Sequence, residues 1–230
     1  MGTTVRFASN GDRAEGYLAL PGSGSGTGVM VVQEWWGLVP QIQQVCDRLA
    51  GEGFVAFAPD LYRGDIAEHT EMDKAAHLMN TLPMDRAARD MGGAVDFLLA
   101  HEAVRGDKVG VVGFCMGGML ALVVAAQQGD KIAAVVPFYG APLGDDGPDW
   151  SVLTAAVRGH YAGDDAFFPA DAVLALESRL QEMGKDVQFE MHEGAGHAFT
   201  NDADVFGTYD AELSAKTWKA TLEFLHGRLG

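Results

Sequence analysis

Three widely spaced residues, Cys115, Asp165 and His197, could together carry out acyl transfer. Cys115 is the centre of Gly113-Phe114-Cys115-Met116-Gly117, a G-x-C-x-G stretch. Where such a stretch joins a strand to a helix, the turn forces its central residue into a strained conformation and presents that side chain outward. The residues two positions to either side come close together, and Gly113 and Gly117 meet that need for small size. A thiol at this point lies near a helix N-terminus, whose dipole favours thiolate. The Met116 N–H belongs to the same turn and can donate to an oxyanion. Downstream, HYAGDDAFFP carries Asp164 and Asp165, and HEGAGHAF carries His197. In the order nucleophile, acid, histidine, the histidine takes the thiol proton. The carboxylate holds the ring's tautomer and stabilises the imidazolium. Successive residues of an extended loop point opposite ways, so one of the two aspartates should reach His197. The residues alone leave Asp164 and Asp165 both open.

A second polar group precedes these. Gln33-Glu34-Trp35-Trp36-Gly37 sets a carboxylate beside two tryptophans. Glu34 either bonds amides of its own loop or is a carboxylate whose pKa is raised by an apolar site. The Trp35 N–H is placed to supply a second oxyanion donor. His160 and His192 fall in strands near the same sheet edge. A metal site from His160, Asp164 and His192 is conceivable, but no His-x-x-x-His or paired-cysteine spacing supports it. Structural histidines and no metal are expected. Cys46 lies in IQQVCDRLA, where Ile42, Val45 and Leu49 mark an apolar helical face, and reads as a small buried hydrophobe.

The elements that must position these groups follow from periodicity. TTVRFASNGDRAEGYLAL reads as an antiparallel pair turning at Asn10-Gly11, because both turn positions need positive φ. PGSGSGTG is a short flexible loop. Strands are predicted at GVMVVQ, FVAFAP, KVGVVGF, KIAAVVPFYG, AAVRGHYAG and DVQFEMHEG. Helices are predicted over about 40–52, 71–79, 85–101 and 210–226, and in GGMLALVVAAQQG and PADAVLALESRLQEMG, with Pro40 suited to a first turn. Alternating apolar strands and helices predict an α/β fold, a mostly parallel central sheet with helices on both faces. In such sheets sites gather after the carboxyl ends of strands. Glu34, Cys115, Asp165 and His197 all follow strands. No composition shift or repeat divides the chain, so one domain over 1–230 is expected.

Composition excludes several partners. The 230 residues hold 16 Lys+Arg against 32 Asp+Glu, a formal charge of −16. Nucleic acid is bound by clustered cations, and none are clustered here. The acidity reads as solubility through self-repulsion. No run of about 18 apolar residues could span a membrane. The N-terminus lacks the basic and apolar parts of a signal peptide, and Arg6 stands where a myristoylation motif wants Ser or Thr. A cytoplasmic location is expected. Two cysteines make no disulfide framework. No cofactor is called for, the partner is a small molecule, and a monomer or a dimer is expected.

Together these residues resemble the dienelactone hydrolase family of the α/β-hydrolase superfamily. The resemblance runs through QEWWG, APDLYRG, GFCMGG, AGDDAFFP and GAGHAF, in order and at the family's spacing. It implies hydrolysis of a lactone or carboxylic ester, of the carboxymethylenebutenolidase type, through a thioester acyl-enzyme. Cys115 is then the nucleophile, His197 the base and Asp165 its orienter. Glu34 is implied to hold the thiol neutral at rest and to take its proton when substrate displaces the carboxylate. Such gating protects the thiol, since thiolate is the oxidisable form. One departure matters. Members acting on dienelactones grip the substrate carboxylate with arginines, one of them four residues after the catalytic histidine. Here that residue is Asn201, and no arginine lies between Ile66 and Pro83. Arg63 is the nearest cation. Trp36, Tyr139 and Phe199 are expected to line a pocket for a compact acyl group. The alternatives are a general small-ester or thioester hydrolase, or a non-catalytic thiol sensor on the same fold. A complete triad favours catalysis.

Overall fold

Strand β1 (Thr3–Ser9) turns back on β2 (Asp12–Ala19) as an antiparallel pair, with Ser9 opposite Asp12. The computed structural model describes residues 1–9, 11–144 and 147–230. Asn10 of the Asn-Gly turn therefore lies outside the described residues. Gly11 has φ +96°, a conformation that glycine adopts without a Cβ penalty. Eight strands form one mostly parallel sheet in the order β1-β2-β4-β3-β5-β6-β7-β8. By its internal contacts the chain divides into two compact units, Met1–Val111 and Val112–Gly230.

In the first unit, β3 (Gly26–Val32) and β4 (Val55–Pro59) pair in parallel, and β2 runs antiparallel to β4. All of β4 and the last five residues of β3 are buried, which is why both read as unbroken apolar runs. Helix α1 (Pro40–Gly51) starts at Pro40, where the missing N–H breaks no helical bond. It turns Ile42, Cys46 and Leu49 to the interior. Helix α2 (Met72–Thr81) buries little beyond Ala75. Helix α3 (Met84–Ala100) packs on β1, β3 and β4. The contact is close: a Cβ at Gly93 would lie 2.7 Å from the Ala8 carbonyl oxygen.

Strand β5 (Val104–Phe114) begins four residues before the apolar run KVGVVGF. Its first residues are solvated, so no pattern announces them. In the second unit follow α4 (Met116–Gln128), β6 (Ile132–Phe138), β7 (Ala156–Ala162), α5 (Ala170–Glu182), β8 (Val187–His192) and α6 (Ala211–Leu229). Strands β6, β7 and β8 are parallel neighbours. Helix α4 is apolar almost all round because it is buried almost all round. Each fully buried Leu or Val there stabilises by about 1.5–3 kcal/mol. Helix α6 starts at Asp210, whose side chain accepts from the Glu212 and Leu213 amides. A 3-10 turn at Trp150–Val152 has no counterpart in the sequence reading. Among the described residues no helix is long and apolar enough to cross a membrane.

Candidate active site

Cys115 sits where β5 ends and α4 begins, with φ +53° and ψ −120°. Only a few non-glycine residues adopt positive φ, and the strain is of order 1–3 kcal/mol. What maintains it is close backbone packing. A Cβ at Gly113 would overlap the Gly117 carbonyl, and one at Gly140 would overlap the carbonyl of Cys115 itself. The Cys115 amide donates to the Phe138 carbonyl at 3.0 Å, and the Cys115 carbonyl accepts from Gly118 and Met119. Gly140 is therefore part of the elbow. It is remote in sequence, and only the adjacency of the strand ends reveals it.

The loops after β7 and β8 are zipped together beyond the sheet. The Gly163 amide donates to the His192 carbonyl at 2.8 Å, and the Asp164 amide donates to the Ala195 carbonyl at 2.9 Å. This sets Asp165 against His197, with Asp165 Oδ2 2.8 Å from His197 Nδ1. Both side chains are buried. The other carboxylate oxygen accepts the amides of Phe167 at 2.8 Å and Phe168 at 3.1 Å. The neighbouring Asp164 is exposed. An imidazole so held donates Nδ1–H to the carboxylate and presents Nε2 as the base. The Thr208 hydroxyl donates to the His197 carbonyl and fixes the loop from behind.

The surroundings of His197 are aromatic, but not as the sequence suggests. Tyr139 and Phe199 have no exposed surface, and Trp36 is 1% exposed. They are core residues rather than pocket walls. Aromatic type alone does not separate the two roles. The Tyr139 ring stands 5.2 Å from His197 and 5.3 Å from Phe199, and its hydroxyl is 2.6 Å from Thr200 Oγ1. The open aromatic surface comes instead from Phe167, which is 53% exposed. Its ring lies 4.8 Å from His197 and 5.6 Å from half-buried Phe206. No spacing in the sequence marks either residue.

Two other expected substrate contacts take structural roles. Asn201 is buried, and its side-chain oxygen accepts the Ala203 amide at 3.0 Å, closing a turn. Arg63 is committed elsewhere. Its Nη2 lies 2.9 Å from Asp90 Oδ1, its Nε 3.2 Å from Asp90 Oδ2, and its Nη1 3.4 Å from Asp12. A guanidinium saturated in this way is a strut of its own unit, not a free clamp for a substrate carboxylate.

In the first unit, Glu34 is 2% exposed and lies two residues after the end of β3. Gly37, at φ +97°, donates to the Glu34 carbonyl at 3.2 Å, so residues 34–37 form a tight turn. The Trp35 and Trp36 rings meet edge to face at 5.0 Å. Preceding them, the Gln33 side-chain oxygen accepts the Leu61 amide at 3.1 Å. Met116 is buried in the first turn of α4. Cys46 is fully buried, and that burial first, then the Asp47 charge, pushes its thiol up and keeps it inert.

A profile of the dienelactone hydrolase family matches residues 14–229. The chain belongs to that family. It is 38% identical to Protein usf of Aquifex pyrophilus, over 97% of each chain. It is 35% identical to the Aquifex aeolicus protein named "Putative carboxymethylenebutenolidase", again over 97% of each. Among solved structures, a dienelactone hydrolase-like promiscuous phosphotriesterase from metagenomic libraries superposes with a TM-score of 0.86. Identity is 25%, over 100% of this chain and 99% of that one. As a family member the chain is an α/β-hydrolase and a hydrolase of lactones or esters.

Proposed function

We propose that the chain cleaves its lactone or ester through Cys115, His197 and Asp165. The observation that carries this is the buried Asp165–His197 pair on the loops after β7 and β8. The Cys115 turn packs on Gly140, next to the Tyr139 ring that touches His197. In the first half-reaction the Cys115 thiol loses its proton, which comes to His197, and the sulfur attacks the carbonyl carbon. The tetrahedral intermediate collapses, the C–O bond breaks, and His197 gives its proton to the leaving oxygen. A thioester remains on Cys115. Water then attacks that thioester as His197 takes a proton, the C–S bond breaks, His197 returns the proton to the sulfur, and the acid leaves. The Met116 and Trp35 amides serve as oxyanion donors in this reading, as the turn chemistry and the family resemblance imply. Glu34 as the group that keeps the thiol neutral at rest rests on the resemblance and on its burial.

The substrate is a neutral or weakly charged activated ester or lactone. Asn201 closes a turn at the position where the family resemblance implies a carboxylate-gripping arginine, and Arg63 is held by Asp90. A charged hydrogen bond lost there costs roughly 1.5–3 kcal/mol. Phe167 and Phe206 provide the apolar surface for a compact acyl group. The reduced thiol this mechanism needs fits a cytoplasmic location. The family match across residues 14–229 fits a single hydrolase domain, and a monomer or a dimer is expected.

The test is Cys115→Ala with mass spectrometry of a slow substrate's acyl-enzyme. Loss of activity and an acyl adduct on the Cys115 peptide are expected. An active Cys115→Ala enzyme, or an adduct on Cys46, sinks the proposal.

A further inference from the structure

Away from Cys115 and the Asp165–His197 pair, the β7–β8 register gathers a second set of ligating groups. His160 on β7 lies opposite Glu190 on β8, and His192 follows Glu190 by two residues, on the same face. His160 Nδ1 is 3.3 Å from His192 Nε2. The Glu190 oxygens lie 3.6 Å from His160 Nδ1 and 3.8 Å from His192 Nδ1. One ligand atom from each residue falls within 4.8 Å of the other two. A tetrahedral ion with bonds of about 2.0–2.1 Å to nitrogen sets neighbouring ligand atoms roughly 3.3 Å apart. The two ring nitrogens already have that separation.

We propose that His160, Glu190 and His192 form a binding site for a first-row divalent transition-metal ion such as Zn2+, with a fourth position facing solvent. Two imidazoles and a carboxylate are donors such ions accept. Beside the cluster lies a cleft of about 300 Å³ lined by Arg158, His160, Glu190, Thr221 and Phe224 among others. Thr221 is 1% exposed, and among the described residues its hydroxyl has no hydrogen-bond partner. Buried unsatisfied hydroxyls are rare, and a metal-bound water in the cleft would give this one a partner.

The cations near the cluster compete only weakly. Lys216 on α6 bonds Glu190 Oε1 at 3.1 Å, but its side chain is 65% exposed and free to swing away. Arg158 is held by Asp186 at 2.7 Å. The ion would take no part in ester cleavage. It would tie together the ends of β7 and β8, which lead to Asp165 and His197. The His192 ring also packs at 5.4 Å on Phe199, which meets Tyr139, which meets His197. The competing account is that the two neutral rings share one proton in a plain hydrogen bond and bind no metal.

The experiment is a calorimetric Zn2+ titration of tag-free, chelator-stripped full-length protein, both unmodified and as Cys115→Ala, so that the elbow thiol is not counted as a ligand. One ion per chain is expected in both, with a Tm that rises on binding. Changing a group behind a ligand costs roughly 10–100-fold in affinity, so removing a ligand should cost at least tenfold. Glu190→Gln and His192→Asn should each show that loss, along with loss of the Tm shift. Glu190 is half-exposed, so Glu190→Gln keeps the test valid should His192→Asn fold poorly. No binding, binding unchanged in Glu190→Gln, or binding abolished by Cys115→Ala would overturn the proposal.

Discussion

Asp90 and Asp165, buried aspartates of the first and second units, are used in opposite ways. In Met1–Val111, Asp90 on α3 is fully buried and accepts from Ser9 and from the Nε and Nη2 of Arg63. Its charge is met by a permanent cation whose fork geometry uses both carboxylate oxygens. In Val112–Gly230, Asp165 gives one oxygen to two backbone amides and the other to His197. Among the described residues its side-chain partner is a histidine, a base that takes up a proton as the nucleophile attacks. A carboxylate saturated by arginine can only hold the fold together. One facing a histidine can stabilise a charge that appears during a reaction.

The largest effect should come from breaking the second arrangement. Asp165→Asn keeps the shape but reverses the hydrogen-bond demand on Nδ1, so the ring turns its proton toward the nucleophile. A loss of roughly 10⁴ in kcat/KM is expected, by analogy with serine triads. The buried fold should persist, because the amide oxygen can still accept from Phe167 and Phe168. Steady-state kinetics beside a thermal melt check both halves. Retention of more than a hundredth of the activity would show that Asp165 is no more than a second Asp90.

The reverse pattern is expected at the first site. Asp90→Ala leaves the Arg63 guanidinium without its main partner. Removing one member of a buried pair costs about 3–5 kcal/mol, and Arg63 is partly solvated, so about 3 kcal/mol is expected. For a chain of this size that lowers Tm by roughly 6–12 °C. The kcat/KM of the folded fraction should stay within about twofold. Arg63→Ala should destabilise similarly and leave the ratio of rates on a dienelactone and its methyl ester unchanged. A selective loss on the free acid would make Arg63 a substrate clamp after all, and the contrast between the two units would fail.

How much of this was legible in the sequence follows from the range of each interaction. Strands such as FVAFAP announce themselves as unbroken apolar runs, helices such as 40–52 carry their period locally, and the G-x-C-x-G turn encodes its own strain. The hand-over from β7 to Asp165 is different. Asp164 and Asp165 are equivalent by type, and what separates them is contacts made in the fold, the Asp164–Ala195 backbone bond and the Asp165–His197 pair. Gly140 matters because strand ends come together, and Glu190 joins His160 because of a register that no linear spacing reports. The aromatic residues mislead for a related reason. Tyr139 and Phe199 follow strand ends as a pocket residue should, yet their rings fill the core behind His197.

A third aspartate sets the lower bound of the comparison. Asp186, just before β8, pairs with Arg158 at 2.7 Å and Arg228 at 2.6 Å, but it is about half-exposed. Burial is the largest single influence on its pKa and pushes it up. The two guanidinium groups outweigh that and hold it below the ordinary aspartate value. A carboxyl whose folded pKa is depressed stabilises the fold above its unfolded pKa and loses that contribution as pH falls through the folded value. Near pH 7, Asp186→Asn should therefore cost no more than about 1 kcal/mol, because exposed pairs are weakened by solvent. The difference from the parent should shrink with added salt. It should also fade in melts run below about pH 3, under the ordinary aspartate value near 3.9. Activity should not change. A destabilisation as large as that of Asp90→Ala, or one insensitive to salt, would mean that burial is not what separates a strut from a surface pair. Both guanidinium groups lie near the Phe224 ring, at 5.4 and 5.9 Å, so packing on that ring would then account for the excess.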